Sequence, residues 1–329
     1  VRYVLFVASD GLDALEGDAI LRKAPHSKSI RIVCASSDGL TPDSAEPMSA
    51  STPAEAQRSL DEMPRPSMVV VVGNTPLALW ASMWAARDGI PVMHHQAGLR
   101  SSAGEPEAIS ANKFGTALDA TADMLSFIDS RDQKKTAHFA ASGRRVIGWP
   151  SIEAWSRRLP SRSEVGAGAS GCLVLLGPMS PDQHGRVTKI IDACMLACRR
   201  FKVYASSQFR DMVVKVGVPL PSGFELRVPD DPEELADAVA KCRMLVTNDE
   251  RLQALSAASG CHTVLVGPSP TIRWLMDQGS KYTIHVDMAA PSAAKAVGQF
   301  WESLPDLPFS TAVVPNASSS MAAWMRPFM

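Results

Sequence analysis

Short runs of aliphatic and β-branched residues alternate with longer segments of helical period along the whole chain. In the first half this pattern predicts strands near 2–8, 30–34, 68–72, 91–94, 125–128 and 145–148. Helices fit between them near 12–23, 53–62, 75–88, 106–121 and 131–142. A second series has strands near 172–177, 201–205, 223–228, 243–247, 263–266 and 283–286. Its helices fall near 182–200, 231–241, 249–259, 271–278 and 289–303, and 318–327 reads as a last helix. Regular strand–helix alternation predicts parallel sheets with crossover helices. The run 68–72 is apolar at every position, as a central parallel strand covered on both faces should be. It ends at Gly73-Asn74-Thr75-Pro76, where Asn74 or Thr75 can cap the next helix and Pro76 suits its first turn.

Between about 156 and 170 the chain turns polar, small and rich in glycine and serine, the composition of a linker. The predicted class is therefore α/β, with two Rossmann-like doubly wound parallel-sheet domains facing a cleft. The predicted bounds are an N-terminal domain over 1–157, a linker over 158–170 and a C-terminal domain over 171–329, with the last helix free to pack back on the first domain. Ligands of such folds sit at the carboxyl ends of the strands. Trp80 and Trp84, four apart on a helix, read as core rather than as a stacking platform.

Composition narrows the function. With 33 basic and 34 acidic residues the net charge is −1, so no overall field draws nucleic acid or an anionic membrane. No apolar run reaches the roughly 18 residues of a membrane span. The opening run lacks a basic leader and a small-residue cleavage site and reads as a strand, so a cytoplasmic location is expected. Six scattered cysteines include no C-x-x-C pair, and they read as small buried hydrophobes of a reducing compartment rather than metal ligands. No P-loop, zincin or nucleophile-elbow motif is present, and no dinucleotide glycine pattern follows the first strand, so no cofactor is expected.

Two stretches carry more specific information. Val72-Gly73-Asn74-Thr75 is followed about twenty residues on by Pro91-Val92-Met93-His94-His95-Gln96-Ala97-Gly98-Leu99-Arg100. They resemble the "HGDTTT" and "P-V-x-H-V-E-A-G-L-R-T" signatures of the UDP-N-acetylglucosamine 2-epimerases. Ala111-Asn112-Lys113 resembles the end of that family's "P-E-E-x-N-R", and Met244 to Gln253 resembles "L-T-D-S-G-G-L-Q-E-E". Val264-Leu265-Val266 followed by Thr271-Ile272-Arg273 resembles "V-L-x-L-R-x-x-T-E-R-P-E". The resemblance implies a GT-B arrangement with a nucleotide sugar in the cleft, held mainly by the C-terminal lobe. Family members commonly form dimers, which leaves a homodimer open.

The same comparison shows what is missing. Epimerisation removes a proton from a sugar carbon, which needs a base. The family's carboxylates fall on Asn74, on Gln96 and near Ser110, and its C-terminal histidine falls near Ser207. An amide keeps hydrogen-bonding shape but is no base at neutral pH. His94 or His95 could serve instead, although at a strand end one of them should face the core. The phosphate motifs differ as well. "T-D-S-G-G" becomes Thr247-Asn248-Asp249-Glu250-Arg251, an acidic helix start, and "G-T-R-P-E-A" becomes Ser9-Asp10-Gly11-Leu12-Asp13-Ala14.

The candidate catalytic positions are thus Asn74, His95 and Gln96, and the candidate binding positions are Arg100, Asn112, His184, Arg210, Ser269, Thr271 and Arg273. Ser269, Thr271 and Arg273 at a helix start would seat a phosphate, with an ordinary capped loop as the plain alternative. Arg100 is either a ligand cation or an ion pair bracing its loop. His184 and Arg210 are placed by analogy alone. The reading is a glycosyltransferase-like enzyme on an epimerase scaffold, taking a nucleotide sugar and a small-molecule acceptor. The alternatives are a non-catalytic GT-B descendant that binds or scaffolds, and an epimerase or hydrolase with relocated acids.

Overall fold

A computed structural model describes residues 2–24, 29–35, 41–100, 106–151, 171–176, 189, 201–205, 226–227, 234, 238–239, 242–249, 252–253, 261–266, 283–286, 292–304 and 317–329. The chain divides into two compact units, Val1–Ala154 with Val314–Met329, and Trp155–Val313.

The first unit begins β1 (Val4–Ala8), α1 (Gly11–Leu21), β2 (Ile30–Cys34), β3 (Ala45–Pro47), α2 (Pro53–Asp61), β4 (Met68–Val72) and α3 (Pro76–Arg87). It continues β5 (Val92–His95), α4 (Pro106–Thr121), β6 (Met124–Phe127), α5 (Ser130–Lys135) and β7 (Gly143–Val146). The strands form one parallel sheet in the order β3-β2-β1-β4-β5-β6-β7. β4 lies at its centre and is buried throughout. Successive side chains of a strand point to opposite faces. Val69 and Val71 accordingly join the core under α2 and α3, whereas Met68, Val70 and Val72 join the core on the α1 side.

The second unit contains β8 (Gly171–Leu176), β9 (Phe201–Ala205), β10 (Leu226–Arg227), β11 (Cys242–Thr247), β12 (His262–Val266), β13 (Thr283–Val286) and α6 (Ala293–Ser303). Its sheet is also parallel, in the order β10-β9-β8-β11-β12-β13. The expected helices near 182–200, 231–241, 249–259 and 271–278 lie almost wholly outside the described residues. The chain then returns to the first unit as α7 (Ala317–Met325), whose Ala317, Met321, Ala322 and Met325 are buried in the core beside α1.

Two elements differ from expectation. β3 is a three-residue edge strand of sequence Ala-Glu-Pro, too short and too polar to announce itself by period. The helix expected over 131–142 stops at Lys135. The Thr136 hydroxyl donates to Gln133 O (3.1 Å), and the Arg144 guanidinium reaches from β7 to Gln133 O (3.2 Å) and Phe139 O (3.0 Å). Gln133 O, one of the carbonyls that another helical turn would use, is thereby occupied. Trp84 is core, with its Nε1–H on Asp61 (2.8 Å), and Trp80 packs at the edge of the same cluster. Among the described residues no helix is long and apolar enough to cross a membrane.

Candidate functional site

The carboxyl ends of β1, β4, β5 and β6 place the Asn74 turn and the 96–100 loop side by side. Gly73 leaves β4 with φ +71°, a conformation open to glycine at little cost. Thr75, rather than Asn74, caps α3: its Oγ1 accepts from Ala78 N (3.1 Å), with Pro76 in the first turn. The same hydroxyl meets Ser9 Oγ at 2.6 Å, tying the β1 turn to the β4 turn. Thr75→Ala should therefore cost about 1–2 kcal/mol in urea unfolding, the scale of a lost N-cap.

Asn74 uses its side chain elsewhere. Its Nδ2 donates to Leu99 O at 2.9 Å, joining the two loops. A carboxylate has no proton to offer that carbonyl. Asn74 Oδ1 is buried without a hydrogen-bond partner and lies against Gly115 of α4. A Cβ at 115 would stand 2.6 Å from Asn74 Cγ and 2.7 Å from the Arg100 guanidinium, so glycine there permits the close approach. Asn112, Gly115 and Asp119 recur at helical spacing on one face of α4.

His94 and His95 are both fully buried, on opposite faces of β5. His94 Nε2 donates to Gly73 O (2.9 Å), and its Nδ1 meets Asp119 Oδ1 (2.7 Å). The second Asp119 oxygen accepts Gly98 N–H (3.1 Å) and pairs with the Arg100 guanidinium, which also donates to Leu99 O (2.6 Å). Burial by itself raises the Asp119 carboxyl. The hydrogen bond and charge of His94, followed by Arg100, outweigh it and hold Asp119 below the usual carboxylate range. Of the two roles open to Arg100, the structure shows the bracing ion pair.

His95 faces α1. Its Nδ1 meets Ser126 Oγ at 2.5 Å, and its Nε2 lies 3.6 Å from Glu16 Oε2. The Glu16 carboxylate in turn accepts the Ser151 hydroxyl (2.6 Å) and backbone N–H (3.0 Å). His95 is thus enclosed in a polar cluster behind the strand. Gln96, next in sequence, has φ +68°, the only positive φ outside glycine among the described residues. Such a backbone costs on the order of 1 kcal/mol or more and persists where surrounding structure imposes it. Gly98 (φ +77°) completes the loop, and a Cβ there would stand 2.9 Å from the Asp132 carbonyl carbon of α5.

Asn74, Gln96 and Arg100 therefore converge on one pair of loops, with Asn112 on the adjoining helix and His95 behind the strand. Ser110 is exposed on α4. His184, Arg210, Ser269, Thr271 and Arg273 lie outside the described residues. In the second unit Asp249 Oδ1 accepts Leu252 N–H (3.4 Å), the helix-cap arrangement expected of that acidic turn.

Sequence reasoning passed over Asp13, Glu16, Asp119, Ser126 and Ser151. Asp13 had a signal, since it keeps an acid where "G-T-R-P-E-A" has glutamate. The others meet partners distant in sequence. Each of these carboxylates already accepts hydrogen bonds from the protein: Asp119 as above, Glu16 from Ser151, and Asp13 from Ser9 N (3.4 Å). No group of three or more His, Cys, Asp or Glu among the described residues is arranged to hold a metal ion.

Solved structures that share this fold include UDP-GlcNAc 2-epimerases. UDP-GlcNAc 2-epimerase from Methanocaldococcus jannaschii, in complex with UDP-GlcNAc and UDP, matches with TM-score 0.74 and 12% identity, covering 99% of this chain and 100% of that one. The Neisseria meningitidis enzyme bound to UDP-GlcNAc matches with TM-score 0.73 and 14% identity, over 99% and 100%. The chain has the UDP-N-acetylglucosamine 2-epimerase fold. S. aureus MnaA with UDP gives TM-score 0.73 at 12% identity, covering 100% of this chain and 96% of that one. No protein-family model and no curated protein sequence matches the chain. At these identities the likeness to the epimerases is one of fold, and the chemistry rests on the side chains at the strand ends.

Proposed function

We propose that this chain binds a nucleotide sugar and transfers its glycosyl group to a small-molecule acceptor, without removing hydrogen from the sugar ring. The observation that carries this reading is the Asn74 Nδ2–Leu99 O hydrogen bond, which commits position 74 to an amide that donates. Epimerisation needs an ionisable base at the sugar, and the carboxylates near this position are already engaged by the protein. Transfer with retention has no such requirement. The departing phosphate can take the acceptor's proton while hydrogen-bond donors and cations stabilise the charge that develops on it. Three of the solved structures that share this fold hold UDP or UDP-GlcNAc, which supports a nucleotide sugar as ligand.

Within this reading Gln96 and Asn112 hold the sugar side, and Asn74 ties the two loops together through Leu99 O. His95 fixes the strand end that presents Gln96, and Arg100 braces the loop. His184, Arg210, Ser269, Thr271 and Arg273 serve the nucleotide. A thermal-shift panel of UDP-, GDP- and TDP-sugars tests the ligand class, because a ligand of the native state raises the unfolding midpoint. At least one is expected to raise it, and Arg273→Ala should weaken that binding by about tenfold, the scale of a lost charge-assisted hydrogen bond. A panel with no effect would instead favour a protein that kept the fold and lost the ligand.

A further inference from the structure

The thiols of Cys242 and Cys261 lie in the second unit, 3.1 Å apart and 19 positions apart in sequence. Both are buried, Cys242 at the start of β11 and Cys261 just before β12, at the amino ends of two neighbouring parallel strands. The Cys242 thiol also donates to Val239 O at 3.2 Å, so its proton has an acceptor other than the facing sulfur. A disulfide has an S–S distance of about 2.05 Å, so closure asks the sulfurs to approach by roughly 1 Å. The register of β11 against β8 also shifts between Cys242 and Met244, so the ladder is irregular at this strand start.

We propose that Cys242 and Cys261 form a redox-closing pair, converted by a small peroxide into an intrachain disulfide. One sulfur, as thiolate, attacks a peroxide oxygen. The O–O bond breaks, water leaves and a sulfenic acid forms. The second thiol then displaces the sulfenic oxygen as a second water, so two thiols and one hydrogen peroxide yield one disulfide and two waters. The closed loop would contain Thr247, Asn248 and Asp249, at the carboxyl end of β11 where ligands of this type of fold sit. Oxidation would therefore restrain that turn from the far end of its strand without occupying it. This inference is independent of the glycosyl-transfer reading.

The test treats the folded, reduced chain with hydrogen peroxide, then unfolds it in N-ethylmaleimide and maps the peptides by mass spectrometry. The expected result is that most chains carry two fewer maleimide groups and a linked peptide pair joining Cys242 to Cys261, reversed by dithiothreitol. Recovery of both cysteines as maleimide adducts, or as sulfinic acids with no linked pair, would overturn the proposal. So would a disulfide joining either of them to Cys172 instead.

Discussion

Asp119→Ala should lower the unfolding free energy by about 3–5 kcal/mol, the cost of removing one partner from a buried charged cluster. Asp119 holds His94, the Gly98 amide and Arg100 together at the ends of β4 and β5. Without it the buried His94 Nδ1 loses its partner, the Arg100 guanidinium keeps Leu99 O but loses its carboxylate, and the loop that carries Gln96 loses its tie to α4. Urea unfolding followed by circular dichroism measures the change, and a loss under about 1 kcal/mol would show that the cluster is not an anchor. Because the Asp119 carboxyl is held below its ordinary value, its contribution to stability is present above the unfolded-state pKa of about 3.9. It is lost as pH falls through the lower folded value. The wild-type chain should thus shed this stability only on strong acidification, and the alanine variant should lack that part of the acid transition.

Asn74→Asp should not restore a base. It should cost about 2–3 kcal/mol at pH 7, because a carboxylate oxygen would face Leu99 O where the amide now donates. The neighbouring Arg100 guanidinium limits the cost without supplying the missing proton. A protonated acid can donate to Leu99 O, so the introduced carboxyl should have a folded-state pKa above its unfolded value. The penalty is therefore largest above that folded pKa and shrinks as pH falls through it. A variant as stable as wild type at pH 7 would show that the amide is not required. Gly115 bears on the same point, since any side chain at 115 would displace Asn74 from this contact.

Much of the fold was legible because strand and helix periods differ and the strands are short and aliphatic. β4 announced itself by five consecutive buried apolar residues, and its turn by Gly73, Thr75 and Pro76. β3 did not, since an Ala-Glu-Pro edge carries neither period nor bulk. At the site, Asn74, Gln96 and Arg100 were visible from motif spacing. The partners that define their roles were not. His94 meets Asp119 across 25 positions and Ser151 meets Glu16 across 135, and no local pattern encodes such contacts. The left-handed backbone of Gln96 was equally hidden, because glutamine does not advertise a positive φ as glycine does.

Incubating the chain in heavy water with UDP-N-acetylglucosamine, at a concentration that raises its unfolding midpoint, bears directly on the missing base. Recovered sugar with no deuterium at the carbon next to the anomeric centre is the expected result. Deuterium at that carbon would mean that a proton is removed there, and would contradict the role given to the amides at positions 74 and 96.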